Sequence, residues 1–136
     1  MIFHINRATY KADLSEEQRQ AGLEMLRQSG MATPAVKSYV VGREFGGEFE
    51  YGAVYAVEDL DGYWRYLDSP EHVHEEVTGM ELIERFEVVD ITDYEDPEIG
   101  EKIARLQDRH IEAHPELAAL IAAVPSFTVP GKGSAS

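Results

Sequence analysis

Four stretches rich in β-branched and aromatic residues, interleaved with two amphipathic helical segments, leave this 136-residue chain few ways to fold. Residues 2–10 form the first extended stretch. Its alternation sets Phe3, Ile5 and Arg7 on one face and His4, Asn6, Ala8 and Tyr10 on the other. Ser15-Glu16-Glu17-Gln18 is a capping-box pattern that opens a helix, with Ala21, Gly22, Met25 and Leu26 at helical spacing and Gly30 expected to close it. After Thr33-Pro34, the strand-like segment Val36–Val41 ends at Gly42. Phe45-Gly46-Gly47 signals a turn, and Phe49–Val57 is a second strand, so the two predict an antiparallel hairpin. Asp59 caps a short helix whose Leu60, Tyr63, Trp64 and Leu67 form one stripe, and Leu82–Ile91 completes the set as a fourth strand.

The order β-α-β-β-α-β is the ferredoxin-like arrangement, an α+β fold with one four-stranded antiparallel sheet and both helices on one face. The other face is too apolar to stay in water, and a second copy packed sheet to sheet would cover it, so a homodimer is expected. Residues 1–92 make up this domain. Residues 93–124 are expected to be an acidic linker followed by an added C-terminal helix from about Pro97 to Ala123, broken or kinked at Pro115. Residues 125–136, ending Gly-Lys-Gly-Ser-Ala-Ser, are expected to be a disordered tail.

Composition narrows the function. With no cysteine, disulfides, thiolate catalysis and cysteine-bound zinc are excluded. A formal charge of −14 argues against nucleic acid and against an anionic membrane surface as partners. The first ten residues, with His4, Asn6 and Arg7, carry neither a signal-peptide core nor a membrane span, and a cytoplasmic protein is expected.

The stretch with the most chemistry is Tyr66-Leu67-Asp68-Ser69-Pro70-Glu71-His72-Val73-His74. Tyr66 lies at the edge of the aromatic stripe, placed to reach into a cavity. Pro70 stops the preceding helix, and His72 and His74 are side chains readily tuned to move protons near neutral pH. The two histidines point the same way from an extended segment and diverge from a helix. A metal site built from His72, His74, Glu75 and Glu76 is weighed against simple surface polarity, and the latter is preferred. His110 and His114 have the four-residue spacing of zinc ligands on a helix, but Ile111 stands where a zinc protease has glutamate. A solvated or partly buried helix face is the preferred reading, and no metal is expected.

The N-terminal strand with His4, Thr33-Pro34-Ala35-Val36-Lys37 leading to Gly42, and Tyr66…Pro70-Glu71-His72 together resemble the stress-responsive A/B barrel (Dabb) family of dimeric α/β-barrel proteins. Among characterised members the arrangement is most similar to plant olivetolic acid cyclase, which folds a linear poly-β-ketoacyl thioester by intramolecular aldol condensation. Ser69-Pro70-Glu71-His72 keeps only the second histidine of the family's histidine-proline-x-histidine motif. The resemblance implies a small-molecule enzyme without cofactor, acting in a cavity between sheet and helices. In it His72 is the general base, His4 the partner of the carbonyl or enolate oxygen, and Tyr66 the orienting hydroxyl. Asn6, Ala8, Trp64 and Tyr63 are the expected substrate contacts. Two other readings stay open: a cofactor-free monooxygenase of aromatic or polyketide substrates, and a non-catalytic, stress-associated ligand-binding protein. In the last, the same residues form a buried polar cluster whose members satisfy one another.

Overall fold

The computed structural model describes residues 1–129 and 133–135. The chain runs β1 (Ile2–Tyr10), α1 (Glu16–Met31), β2 (Ser38–Arg43), β3 (Tyr51–Val57), α2 (Leu60–Leu67), α3 (Pro70–Gly79), β4 (Ile83–Thr92), α4 (Ile99–Ala113), α5 (Pro115–Ala123), β5 (Ser126–Val129) and β6 (Gly133–Ala135). β1, α1, β2, β3, α2 and β4 give the ferredoxin-like order, with α3 inserted between α2 and β4. The sheet order is β2-β3-β1-β4-β5-β6.

β1 is the central strand, antiparallel to β3 on one side and β4 on the other. Its even-numbered residues are buried under the helices, whereas Phe3 is 41 % exposed on the opposite face. That split follows the two-residue period of the strand. The outer face continues through Val40 and Ile91, both more than 60 % exposed. At one end of this face Arg7 is held by Glu44, at 2.7 and 2.8 Å, and by Glu87 at 3.0 Å.

Local signals account for the helix ends. Ser15 Oγ accepts from the Gln18 amide and the Gln18 side chain accepts from the Ser15 amide, the reciprocal capping box. Gly30 does not close α1 as expected; it sits within the last turn. There an added Cβ would lie 2.5 Å from the Tyr39 ring, so the glycine admits β2 against the helix. Ser69 caps α3 with Pro70 at its first turn, which converts the segment after Tyr66 into a regular helix.

Two expectations about the C-terminal region are corrected. The sheet has more than four strands and is mixed, because β5 pairs parallel to β4. Residues 126–129, expected to be disordered, form that strand; Phe127 is buried and stacks on Phe86 at 5.3 Å. Stacked aromatics on neighbouring strands outweigh the weak local propensity of a short segment. Residues 130–132 and 136 of the expected tail lie outside the described residues. The added helix is divided at Pro115 into α4 and α5, since proline cannot donate into the preceding turn. No helix among the described residues is long and apolar enough to cross a membrane.

The extension is part of the core. Ile103 packs in the cluster of Ile2, Tyr55, Val57, Tyr63 and Tyr66, and Leu117 is fully buried. Leu117→Ala is therefore expected to lower the unfolding free energy of the whole domain by about 2–5 kcal/mol, read by urea denaturation as one earlier transition. A separate early melt of helix, with the main transition unmoved, would show that the extension folds independently.

Candidate active site

The sheet register builds the first half of the site. β1 and β4 pair His4 with Asp90, and β1 and β3 pair it with Tyr55. His4 Nδ1 lies 2.8 Å from Asp90 Oδ1, with both side chains almost wholly buried. The Tyr63 hydroxyl donates to Asp90 Oδ2 at 3.0 Å and accepts from Gln107 Nε2 at 2.7 Å. A carboxylate can only accept, so it draws the imidazole proton to Nδ1 and leaves the lone pair on Nε2. His4 lines the interior cavity, and with Nδ1 engaged by Asp90 its free nitrogen is Nε2.

The second half comes from α3. Because this segment is a helix, His72 and His74 diverge: His72 is 5 % exposed, whereas His74 faces out beside Thr78. One turn further on, Glu76 returns to the His72 face and places Oε1 2.9 Å from His72 Nε2. Glu75 Oε2 lies 3.4 Å from His72 Nδ1. Neither approach is aligned for an N–H donor, so both His72 nitrogens lack a well-formed hydrogen bond. From α4, His110 Nε2 reaches the same Glu76 oxygen at 2.5 Å.

Tyr66 joins the halves. Its ring centroid lies 5.5 Å from His4, 4.5 Å from His72 and 4.8 Å from Tyr55. Burial holds the phenol far above its ordinary pKa, so it is a neutral hydroxyl, and it too lacks a well-formed hydrogen bond. The structure thus brings His4, Tyr66 and His72 together, although Tyr66 stands behind the cavity wall rather than in it. Asn6 and Ala8 line the cavity. Tyr63 and Trp64 do not: Tyr63 supports His4 and Asp90, and Trp64 lies under the Arg109 guanidinium, 3.8 Å from the ring centroid. The cavity holds about 60 Å³ of solvent-accessible space.

Sequence reasoning missed Asp90, Gln107 and the burial of His110. A signal existed for two of them. Asp90 is in phase with the inward-facing Phe86 and Val88 of β4, an odd position for an acid. His110 continues the apolar stripe of Ile99, Ile103 and Leu106, and at 1 % exposure it is neither solvated nor partly buried.

The two adjacent glutamates have opposite electrostatics. Burial pushes the Glu75 carboxyl up to about 7, only partly offset by His72 and reinforced by Glu76. Burial opposes ionisation of Glu76 as well, but His72 and His110 outweigh it and hold this carboxyl at about 2. Glu75 binds its proton more tightly folded than unfolded, so stability falls as pH rises from about 4.5 to about 7. Glu76 does the reverse: its stabilisation is present above about 4.5 and is lost as pH falls towards 2. Glu75→Gln is therefore expected to stabilise the protein by about 1–3 kcal/mol at pH 8 and to be near neutral at pH 4. Glu76→Gln is expected to destabilise it at pH 7. Denaturation at the two pH values checks both, and a loss of stability in Glu75→Gln at pH 8 would overturn the assignment.

No curated protein matches the sequence. Among solved structures, a dimeric ferredoxin-like protein of unknown function from Thermobifida fusca is 21 % identical, covering 67 % of this chain and 89 % of that one, with a TM-score of 0.61. The hydroxynitrile lyase of Passiflora edulis is 17 % identical over 69 % and 94 % of the two chains, with a TM-score of 0.62. The cofactor-independent oxygenase SnoaB of Streptomyces nogalater is 18 % identical over 71 % and 96 %, with a TM-score of 0.55. At these identities the likeness is one of fold. The description of the Stress Responsive A/B Barrel Domain (Dabb) matches residues 2–93, about two thirds of the sequence, and the chain belongs to that family.

Proposed function

We propose that this protein is a small-molecule enzyme that removes a proton next to a carbonyl and closes a carbon–carbon bond within one short substrate. That is the intramolecular aldol chemistry of an olivetolic-acid-cyclase-like polyketide cyclase. The observation that carries the reading is His4, a residue of the cavity wall clamped at Nδ1 by the buried Asp90, which leaves Nε2 free. A carboxylate that selects the tautomer and steadies the imidazolium formed on proton uptake is the arrangement general-base catalysis needs. His72 has both nitrogens turned to glutamates and is the worse-placed base. The geometry therefore favours the reverse of the roles drawn from the family pattern, with His4 as base and His72 on the oxygen side. In the step itself, His4 Nε2 takes the proton from the carbon between two carbonyls, and the enolate carbon attacks the distal ketone. The proton then returns to the new alkoxide.

The small cavity restricts the substrate. Pockets for drug-sized ligands measure about 300–1,000 Å³, so four ketide units, the shortest chain whose first activated carbon can close a six-membered ring on a ketone, suit this site better than a longer chain. Asp90→Asn, which keeps the shape but loses the tautomer control, is expected to lower kcat about 10²–10⁴-fold on short linear β-ketoacyl thioesters. Product formation followed by mass spectrometry, with circular dichroism to establish folding, checks it. Full activity in Asp90→Asn would remove His4 from the role. Oxygen uptake accompanying turnover would instead favour the monooxygenase reading.

The reading includes a homodimer through the outer sheet face. Phe3, Ile5, Val40, Val54, Val89 and Ile91 form a continuous apolar surface there by register, and the Thermobifida fusca relative is described as dimeric. The double substitution Val40→Lys, Ile91→Lys is expected to halve the mass in sedimentation while leaving the fold intact.

A further inference from the structure

The cluster around Glu76 contains more unsatisfied buried chemistry than proton transfer accounts for. Seven buried side-chain nitrogens and oxygens lack a well-formed hydrogen bond among the described residues. Five of these atoms belong to Tyr66, His72, Glu75 and His110; the other two are Asn6 Nδ2, from the cavity wall, and Thr33 Oγ1. Buried polar atoms are ordinarily paired, so this concentration in one place calls for a physical cause.

We propose that His72, Glu76 and His110 bind one divalent transition-metal ion, with zinc as the preferred occupant. Their candidate ligand atoms all lie within 4.8 Å of one another. Two come from one face of α3 at the i, i+4 spacing and the third from α4. Around an ion bonded at about 2.0–2.2 Å, tetrahedral ligands sit about 3.3 Å apart. The present separations, 2.5 Å for His110–Glu76 and 2.9 Å for His72–Glu76, are shorter than that, so an ion entering between them would draw the carboxylate back from both rings. Off-axis contact between His72 Nε2 and the carboxylate fits this arrangement, because a metal and not the oxygen then lies along the nitrogen lone pair. Two imidazoles and one carboxylate are the donor set of open zinc centres, which keep a further position for water or substrate. Here that position faces the cavity, which His72 and Glu76 both line. Glu75 Oε2 lies 3.4 Å from His72 Nδ1 but off its N–H axis, and a turn of the ring towards the ion would make it the outer carboxylate of a ligating histidine.

His110 comes from α4, beyond the matched residues 2–93, so the C-terminal extension completes this site. The proposal goes beyond the cyclisation reading. If both hold, the ion lies on the side of the substrate oxygen, opposite the His4–Asp90 base, where it would polarise the carbonyl as a Lewis acid.

The test uses the full chain, freed of metal with a chelator and titrated with Zn²⁺ against a chromophoric competitor at pH 7. One ion per chain is expected. Glu76→Gln and His110→Gln should each weaken binding at least about 100-fold and Glu75→Gln about 10–100-fold, while the outward-facing His74→Gln leaves it unchanged. Zinc should also raise the melting temperature of the wild type and not that of His110→Gln. Should Glu76→Gln fail to fold, His110→Gln and the melting shift decide the matter alone. Absence of stoichiometric binding, or binding that His110→Gln leaves intact, overturns the proposal. The titration reads metal and not turnover, so a failed cyclisation assay does not alter its outcome.

Discussion

The hydrogen-bond ladder that holds β1 between β3 and β4 is the constraint on which the site depends. A strand paired on both sides cannot slip by one residue without turning its whole buried face to the outside. Its register puts His4 beside Asp90 on one neighbour and Tyr55 on the other, and it places Asn6 and Ala8 along the same inward row. The imidazole is thus oriented by backbone pairing before any side chain chooses a rotamer. Tyr63 and Gln107 then fasten the carboxylate from the helical layer. Sheet and helices are tied together at the His4–Asp90 pair.

A second control acts at the junction of α2 and α3. Ser69 Oγ donates to the Tyr66 carbonyl at 2.8 Å and accepts from the His72 amide at 3.3 Å, closing one helix and opening the next with one hydroxyl. Starting α3 there decides which residues face inward. His72, Glu75 and Glu76, spaced three and four apart, meet under Tyr66, and His74 goes to solvent. With a start one residue later, the helix would present a different set.

How much of this was legible in the sequence depends on the range of the interaction. The inward row of β1, the capping box, the hairpin and the aromatic stripe of α2 follow from periods of 2 and 3.6 and from local turn chemistry, and the structure has them. The meeting of His4, Tyr66 and His72 was carried by family resemblance, not by spacing. Asp90 was not legible as a partner, because its role comes from a pairing 86 residues away. His110 lay on a recognised apolar stripe, but its burial depends on α4 docking against α2 and α3, which no local pattern specifies. Residues 126–129 read as tail because four residues carry little propensity of their own. The waiting edge of β4 and the stacking of Phe127 on Phe86 make them a strand.

The two ends of the cavity are made of different material. Around His4 and Asp90 the wall is cross-braced by hydrogen bonds and stacked rings, which resist displacement. The opposite end is bounded by Gly22, Met25, Gly79 and Met80. Glycines put no side chain in the way, and the thioether arms of methionine change shape at little cost. Near Gly79 the nearest neighbour to an added Cβ would be the terminal methyl of Met25, at 3.6 Å. Such a boundary is compliant: an incoming chain can push the methionines aside and enlarge the space without disturbing the histidines. On the proposed reading, the reacting end of a substrate meets a rigid wall and its other end a yielding one.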